Sequence, residues 1–155
     1  MDDHINNLYE ADFLVWINTQ AELLRTQRLD QLDLENLIEE LEGMARAQKR
    51  EFKHRIEQLL LHLLKCKLQP ERMSGSWRST IREQRDRIRD LLQEMPSLKP
   101  LLQDCLTHAY VSAAKHAADQ TRLPLSAFPE KNPFTMAQIF DDDFWPGENN
   151  KAADP

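Results

Sequence analysis

With 155 residues, 41% of them hydrophobic and 30% charged, the chain has the composition of one soluble globular domain and falls outside the disordered class. Its net charge of −6 argues against bulk nucleic-acid binding, and only three glycines favour helix over β-rich folds. Two cysteines, Cys66 and Cys105, stand in no CxxC or other ligand spacing, which points to free thiols in the cytoplasm rather than a disulfide framework.

The opening MDDHINNLYEADF lacks the basic-then-apolar order of a signal peptide, so none is expected. Residues 11–26, ADFLVWINTQAELLRT, set Phe13, Trp16, Ile17 and Leu24 at helical spacing behind Asp12, a capping residue. QRLDQLD breaks the pattern, and Asp30 or Asp33 can cap a second helix whose early turns carry Glu35, Glu39 and Glu40. In that helix Leu34, Ile38, Leu41, Ala45, Gln48, Phe52, Ile56, Leu59 and Leu63 step by threes and fours, close to a heptad. No proline interrupts it before Pro70. Thirty-odd residues make roughly 50 Å of helix, more than a small bundle needs. The excess predicts a kink or a part outside the bundle, with Gly43 the place for a bend or a close helix crossing. The stripe Leu34, Ile38, Leu41, Phe52, Ile56 and Leu59 is a candidate core or homodimer seam.

The LLLHLL run of this helix is too short to cross a bilayer, and no membrane partner is expected. LQPERMSGS reads as a loop with capping serines. A third helix follows, with Trp77, Ile81, Ile88, Leu91 and Leu92 on its apolar face, and ends at Pro96. A fourth is predicted from Ser97 to about Gln120, with an early proline tolerated and an alanine-rich later part. After RLPLSAFPEKNPF the chain turns to prolines and aromatics. Thr135 caps a short turn, and Phe128, Phe134, Ile139, Phe140, Phe144 and Trp145 anchor a strap across the bundle. The prediction is one all-α domain over residues 1–155, an up-and-down four-helix bundle with one long helix and an aromatic-rich C-terminal extension. Its core covers about 9–146, and 147–155 form a disordered tail.

Several motifs in order, YEADFLVWINTQAELLR, LDLENLIEELEGM, LLLHLLKCKLQPERMSGSWRSTIREQR, SLKPLL and LPLSAFPEKNPFTMAQIFDDDFWP, resemble a bacterial family typical of cyanobacteria, domain of unknown function 29. The likeness runs from about Tyr9 to Pro146. It implies an α-helical fold, and it supplies no reaction, cofactor or catalytic residue to carry over. One departure is Cys66, at a position in HLLKCKLQP where the resemblance implies an aromatic. A smaller side chain there, if buried, requires compensation nearby.

Charge is spread unevenly. Residues 46–89 hold 13 Lys plus Arg against 5 acids, a surplus of +8, so the remainder carries −14 of the total −6. Within that segment Arg78, Arg82, Arg85 and Arg89 fall inside an arc of about 60° on a helix, beside its apolar face. Planar guanidinium forks in a ladder suit carboxylates or phosphates. The alternative is a solvated row paired locally, Asp86 with Arg82 and Arg89.

No metal is expected. Glu51 and His54 have the spacing used in di-iron bundles, but no second Glu-x-x-His exists, and His54 and His62 stand about 12 Å apart along one helix. His62 reads as a core or boundary histidine. Ser74, Ser76, Ser79 and Thr80 surround the loop without a phosphate cradle, Ser76 being accounted for as a cap. Cys66 among lysines would be acidified only if exposed. FDDDF lacks calcium-loop spacing. No catalytic residue and no cofactor is assigned. The reading is a non-enzymatic interaction or adaptor protein, with an acidic partner favoured on the arginine row and homodimerisation through the long helix. The alternative is a regulator binding nucleic-acid phosphates through 46–89, and an enzyme is the third class.

Overall fold

The computed structural model describes residues 8–148, and no strand occurs among them. Residues 8–11 are helical and are followed by α1 (Phe13–Arg25), α2 (Leu34–Leu68), α3 (Gly75–Glu94), α4 (Leu102–Thr121) and a short α5 (Met136–Ile139). Four 3-10 turns, Leu29–Gln31, Pro70–Arg72, Pro96–Leu101 and Leu125–Ala127, stand between them. The chain is all-α. It divides into two compact units, the first ending at Gln48 and the second beginning at Lys49, so α2 contributes to both.

The caps have the residue types that free backbone N–H groups require. Asp12 accepts from the Val15 N–H at 3.1 Å and starts α1, while Asp33 accepts from Asn36 N–H and starts α2. At α5, Thr135 and Gln138 form a reciprocal capping box. Two boundaries differ from the sequence reading. Ser74, not Ser76, caps α3, accepting from Trp77 N–H, because Gly75 is already the first helical residue. The fourth helix does not begin at Ser97. Pro100 has no N–H to return to the carbonyl four residues back, so Pro96–Leu101 winds as 3-10 and the α-helix starts at Leu102.

α2 is helical without interruption over 35 residues, through Gly43. A Cβ built at Gly43 would meet only the Arg46 guanidinium, at 3.6 Å, so the close helix crossing expected there does not occur among the described residues.

In the N-terminal unit a small polar core organises α1 and the start of α2. Trp16 is fully buried and its Nε1–H donates to Asp33 Oδ2 at 3.0 Å. The same aspartate donates its backbone N–H to the buried Gln20 Oε1 at 2.9 Å. Tyr9 stacks edge-on against Trp16 with centroids 4.8 Å apart, and its hydroxyl donates to Glu40 at 2.5 Å. That bond, with the neighbouring carboxylates, pushes the Tyr9 hydroxyl above its ordinary value.

The C-terminal unit holds the large apolar core. Phe52, Ile56, Leu59, Leu60, Leu63 and Leu64 from α2 share it with Ile81 and Ile88 from α3 and the alanine row Ala109, Ala113 and Ala117 of α4. Phe128, Phe134 and Ile139 of the C-terminal strap are buried in the same cluster, with Phe140, Phe144 and Trp145 packed partly buried against it, as the sequence predicts for its aromatics. Tyr110 O–H fixes the strap's approach by donating to the Pro129 carbonyl at 2.5 Å. Gly147 and Glu148 are the last described residues. Gly147 has φ +85, and a Cβ there would lie 2.6 Å from Pro70 Cβ and 2.7 Å from the Cys66 carbonyl, so only glycine fits. The rest of the expected tail, 149–155, lies outside the described residues, as do 1–7.

Candidate functional site

The arginine row lies on α3 and meets the C-terminal strap. Arg85 is 0% exposed. Its Nε–H donates to the Ile139 carbonyl at 2.8 Å, and Nη2 donates to the carbonyls of Phe144 at 3.0 Å and Gln138 at 3.4 Å. Arg89 Nη2 donates to the Phe140 carbonyl and to Asp142 Oδ1, each at 2.7 Å, while Nη1 donates to Asp86 at 3.1 Å. Arg78 pairs with Glu148 and stacks on the Trp145 ring, 4.6 Å from its centroid. Arg82 and Arg85 also face that ring, at 5.4 and 5.6 Å.

The physical logic is that of a helix end. Ile139 and Phe140 carry the last carbonyls of α5 and its cap, which have no backbone N–H among the described residues to accept from, while the Gln138 carbonyl already accepts from Asp141 N–H at 3.3 Å. Guanidinium groups fill that role with charge-assisted bonds and place positive charge at the carbonyl end of the helix. Burial drives the Arg85 guanidinium below its ordinary pKa, opposed by the charges of Asp142 and Asp141. Arginine tolerates such a place because it stays protonated and has five donors to share. The Arg89 hydrogen bond holds the Asp142 carboxyl below the ordinary 3.8.

The row is therefore not the open ladder expected from helical spacing. Arg85 is buried, Arg89 and Arg78 are bonded to the strap, and Arg82 is the exposed member. The expected Asp86–Arg89 pair forms. The spacing identified the arginines, and it did not identify their main partners, which are main-chain carbonyls. The sequence signal was an arginine row beside an apolar face in a chain with an aromatic-rich segment from Phe128 to Trp145.

Next to this clamp the strap borders a cleft of about 490 Å³ lined by Phe134, Phe144 and Trp145 together with Asp141, Asp143 and Glu148. Asp141 and Asp143 share one turn, in which Asp143 N–H donates to Asp141 Oδ1 at 2.9 Å. Among the described residues no three His, Cys, Asp or Glu side chains converge to hold a metal. Glu51 binds Arg55 at 2.9 Å and is not paired with His54. His62 Nδ1–H donates to the Gln58 carbonyl, 2.9 Å away, in a half-buried position where desolvation lowers its pKa, in keeping with the core or boundary histidine the sequence predicts.

Cys66 is buried, and desolvation pushes its thiol up to about 11 despite Arg78 and Lys65 nearby, so it is not an activated nucleophile. Its neighbour Lys65 reaches Gln120 Oε1 at 3.0 Å and lies 4.4 Å above the Trp77 ring, and burial lowers its pKa.

The long stripe of α2 divides sharply. Phe52, Ile56 and Leu59 are core residues, whereas Leu34, Ile38 and Leu41 are 59%, 53% and 63% exposed. Met44 is exposed as well, as are Phe13, Leu14 and Val15 on α1. Leu34, Ile38 and Leu41 are thus outside the core formed by the described residues, where the buried part of the stripe begins at Phe52.

No helix among the described residues is long and apolar enough to cross a membrane. No curated protein and no solved structure matches the chain. The family described as domain of unknown function DUF29 matches residues 8–145, nearly all the described chain, and the chain belongs to that family.

Proposed function

We propose that this protein is a non-enzymatic helical interaction protein whose contact surface is the exposed apolar stripe at the start of α2. The observation that carries the reading is that Leu34, Ile38 and Leu41, three large aliphatic side chains on one helix face, are each more than half exposed. Single exposed leucines need no explanation, but a row at interface spacing marks a surface made to be covered. The arginine row, the rival contact surface, donates chiefly to the chain's own strap. A nucleic-acid partner on 46–89 would have to compete for those donors, and titration with DNA and RNA at low salt tests it, flat curves removing that reading.

The contact surface is tested with a photo-crosslinking amino acid placed at Ile38 and, as control, at the exposed Arg87, with crosslinking in intact cells. A discrete crosslinked protein from position 38, whether a foreign chain or a second copy, and none from position 87, is the expected outcome. Silence at position 38 overturns the reading.

A further inference from the structure

We infer that the partner of this stripe is a second copy of the chain, docked antiparallel along α2 with the two-fold axis near Met44. The inference rests on the stripe being a contact surface and names what covers it. All the groups involved lie on the single helix Leu34–Leu68.

The first observation is exposure. From Met44 to Glu51 every residue of α2 is exposed, including Ala45 and Gln48, which continue the seam begun by Leu34, Ile38 and Leu41. Steps of four, three, four and three keep this seam on one side of the helix, the spacing by which two helices pack at a shallow angle.

The second observation is charge order. Glu42 and Arg46 each lie two residues from Met44, Glu39 and Lys49 each lie five away, and Glu35 and Lys53 each lie nine away. At 100° per residue these six side chains fall within about 80° of one another, along one flank of the seam. In an antiparallel pair related by a two-fold axis, the same flank of each helix lies on the same side, and each residue faces the one equally far beyond the axis. Every acid of the set then faces a base of the other copy, and the symmetry repeats each pair. In a parallel pair the two-fold axis runs along the helices and puts this flank on opposite sides of the two copies, so the six charges do not meet, and only the antiparallel arrangement pairs them.

The helix macrodipole does not account for this order. It acts in the first and last turns, whereas Glu39, Glu42, Arg46, Lys49 and Lys53 are interior to α2. Within one chain Arg46 reaches Glu39 at 2.8 Å and Glu42 at 3.8 Å. Among the described residues no carboxylate lies in ion-pair range of Lys49 or Lys53.

The test uses the full chain and two charge variants, one with Glu35, Glu39 and Glu42 all changed to Lys, the other with Arg46, Lys49 and Lys53 all changed to Glu. Light scattering should give the parent twice the 18.2 kDa of one chain. Each variant alone should be monomeric with parental helicity by circular dichroism, and an equimolar mixture should return to the dimer, which shows that neither variant has lost its fold. Leu41→Ser should weaken the parent dimer by about tenfold or more. For orientation, oxidation of a Glu35→Cys and Lys53→Cys mixture should yield a crosslinked pair that Glu35→Cys alone does not. A parent of 18.2 kDa at high concentration overturns the inference, as does a dimer indifferent to both charge variants or one that crosslinks through Glu35→Cys alone. The Ile38 crosslink separates the two failures. A foreign protein captured by a monomeric parent removes the self-pairing and keeps the contact surface, and no capture removes both.

Discussion

Along α2, Leu34, Ile38 and Leu41 stand at the same kind of spacing as Phe52, Ile56 and Leu59, yet the first three are more than half exposed and the last three are buried. The difference lies in what else the chain supplies. For the second half, α3, α4 and the strap contribute Ile81, Ile88, Ala113 and Ile139 to a shared core. For the first half, the described residues of the N-terminal unit bury Trp16 and Leu23 as their apolar core. A helical stripe is thus a demand for cover. Whether the cover comes from the same chain is a property of the tertiary structure.

The comparison breaks most visibly at Phe52. Truncation to alanine should cost about 3–5 kcal/mol in urea unfolding, because it removes a fully buried ring and leaves a cavity. A loss under about 1 kcal/mol would mean that the two halves of α2 are equally uncovered.

Arg85→Met comes next, at about 3 kcal/mol, since the Ile139 and Phe144 carbonyls would lose their charged donor while staying beside the core. Arg85→Lys should recover only part of this, because an ammonium lacks the fork that reaches several carbonyls at once. Faster proteolysis within 134–148 would locate the loss at the strap, and unchanged cleavage would contradict the clamp.

Asp142→Asn has a smaller effect, under about 1 kcal/mol, because its pair with Arg89 is largely exposed. The sign follows from its depressed pKa. Below the ordinary 3.8 the unfolded chain takes up this proton while the folded chain does not, so stability rises with pH across that window. The pair's contribution is present above 3.8 and is lost as pH falls through the folded value. Urea melts of parent and variant should therefore differ at pH 6 and converge at the acid end.

Smallest is Leu41→Ala, within about 0.5 kcal/mol of the parent when unfolding is followed at high dilution, since the side chain is mostly exposed. A loss as large as that at Phe52 would show that the stripe is already covered within one chain. A labelling experiment extends the contrast to the two thiols. Half-buried Cys105 should react with iodoacetamide well before Cys66, which is buried and shifted up to about 11, and the reverse order would contradict the packing around Cys66.

Much of the architecture was legible in residues. Asp12 and Thr135 were readable as caps, and Asp33 as one of two candidates with Asp30, because a short polar side chain before an apolar period has a favourable use there. Ser74 and Ser76 were not separable by that rule, as both can cap and only the glycine between them decided which residue enters the helix. The strap's aromatics were predictable anchors, because clustered rings are not left in water. The arginine row was identified by its angular arc, but its main ligands were invisible, since every residue carries a carbonyl and no letter of the sequence distinguishes the few that lack an N–H partner.

By itself the sequence determined an all-helical chain, the order of its four long helices and the stripe on each, though not every boundary, because periodicity and capping act within a few residues of one another. Only the tertiary structure decided that Arg85 is buried under the strap and that the stripe of α2 is core from Phe52 onward but exposed at Leu34, Ile38 and Leu41. Burial depends on segments brought together from 50 or more positions away, as Arg85 and Ile139 are, and that meeting is written in no local pattern.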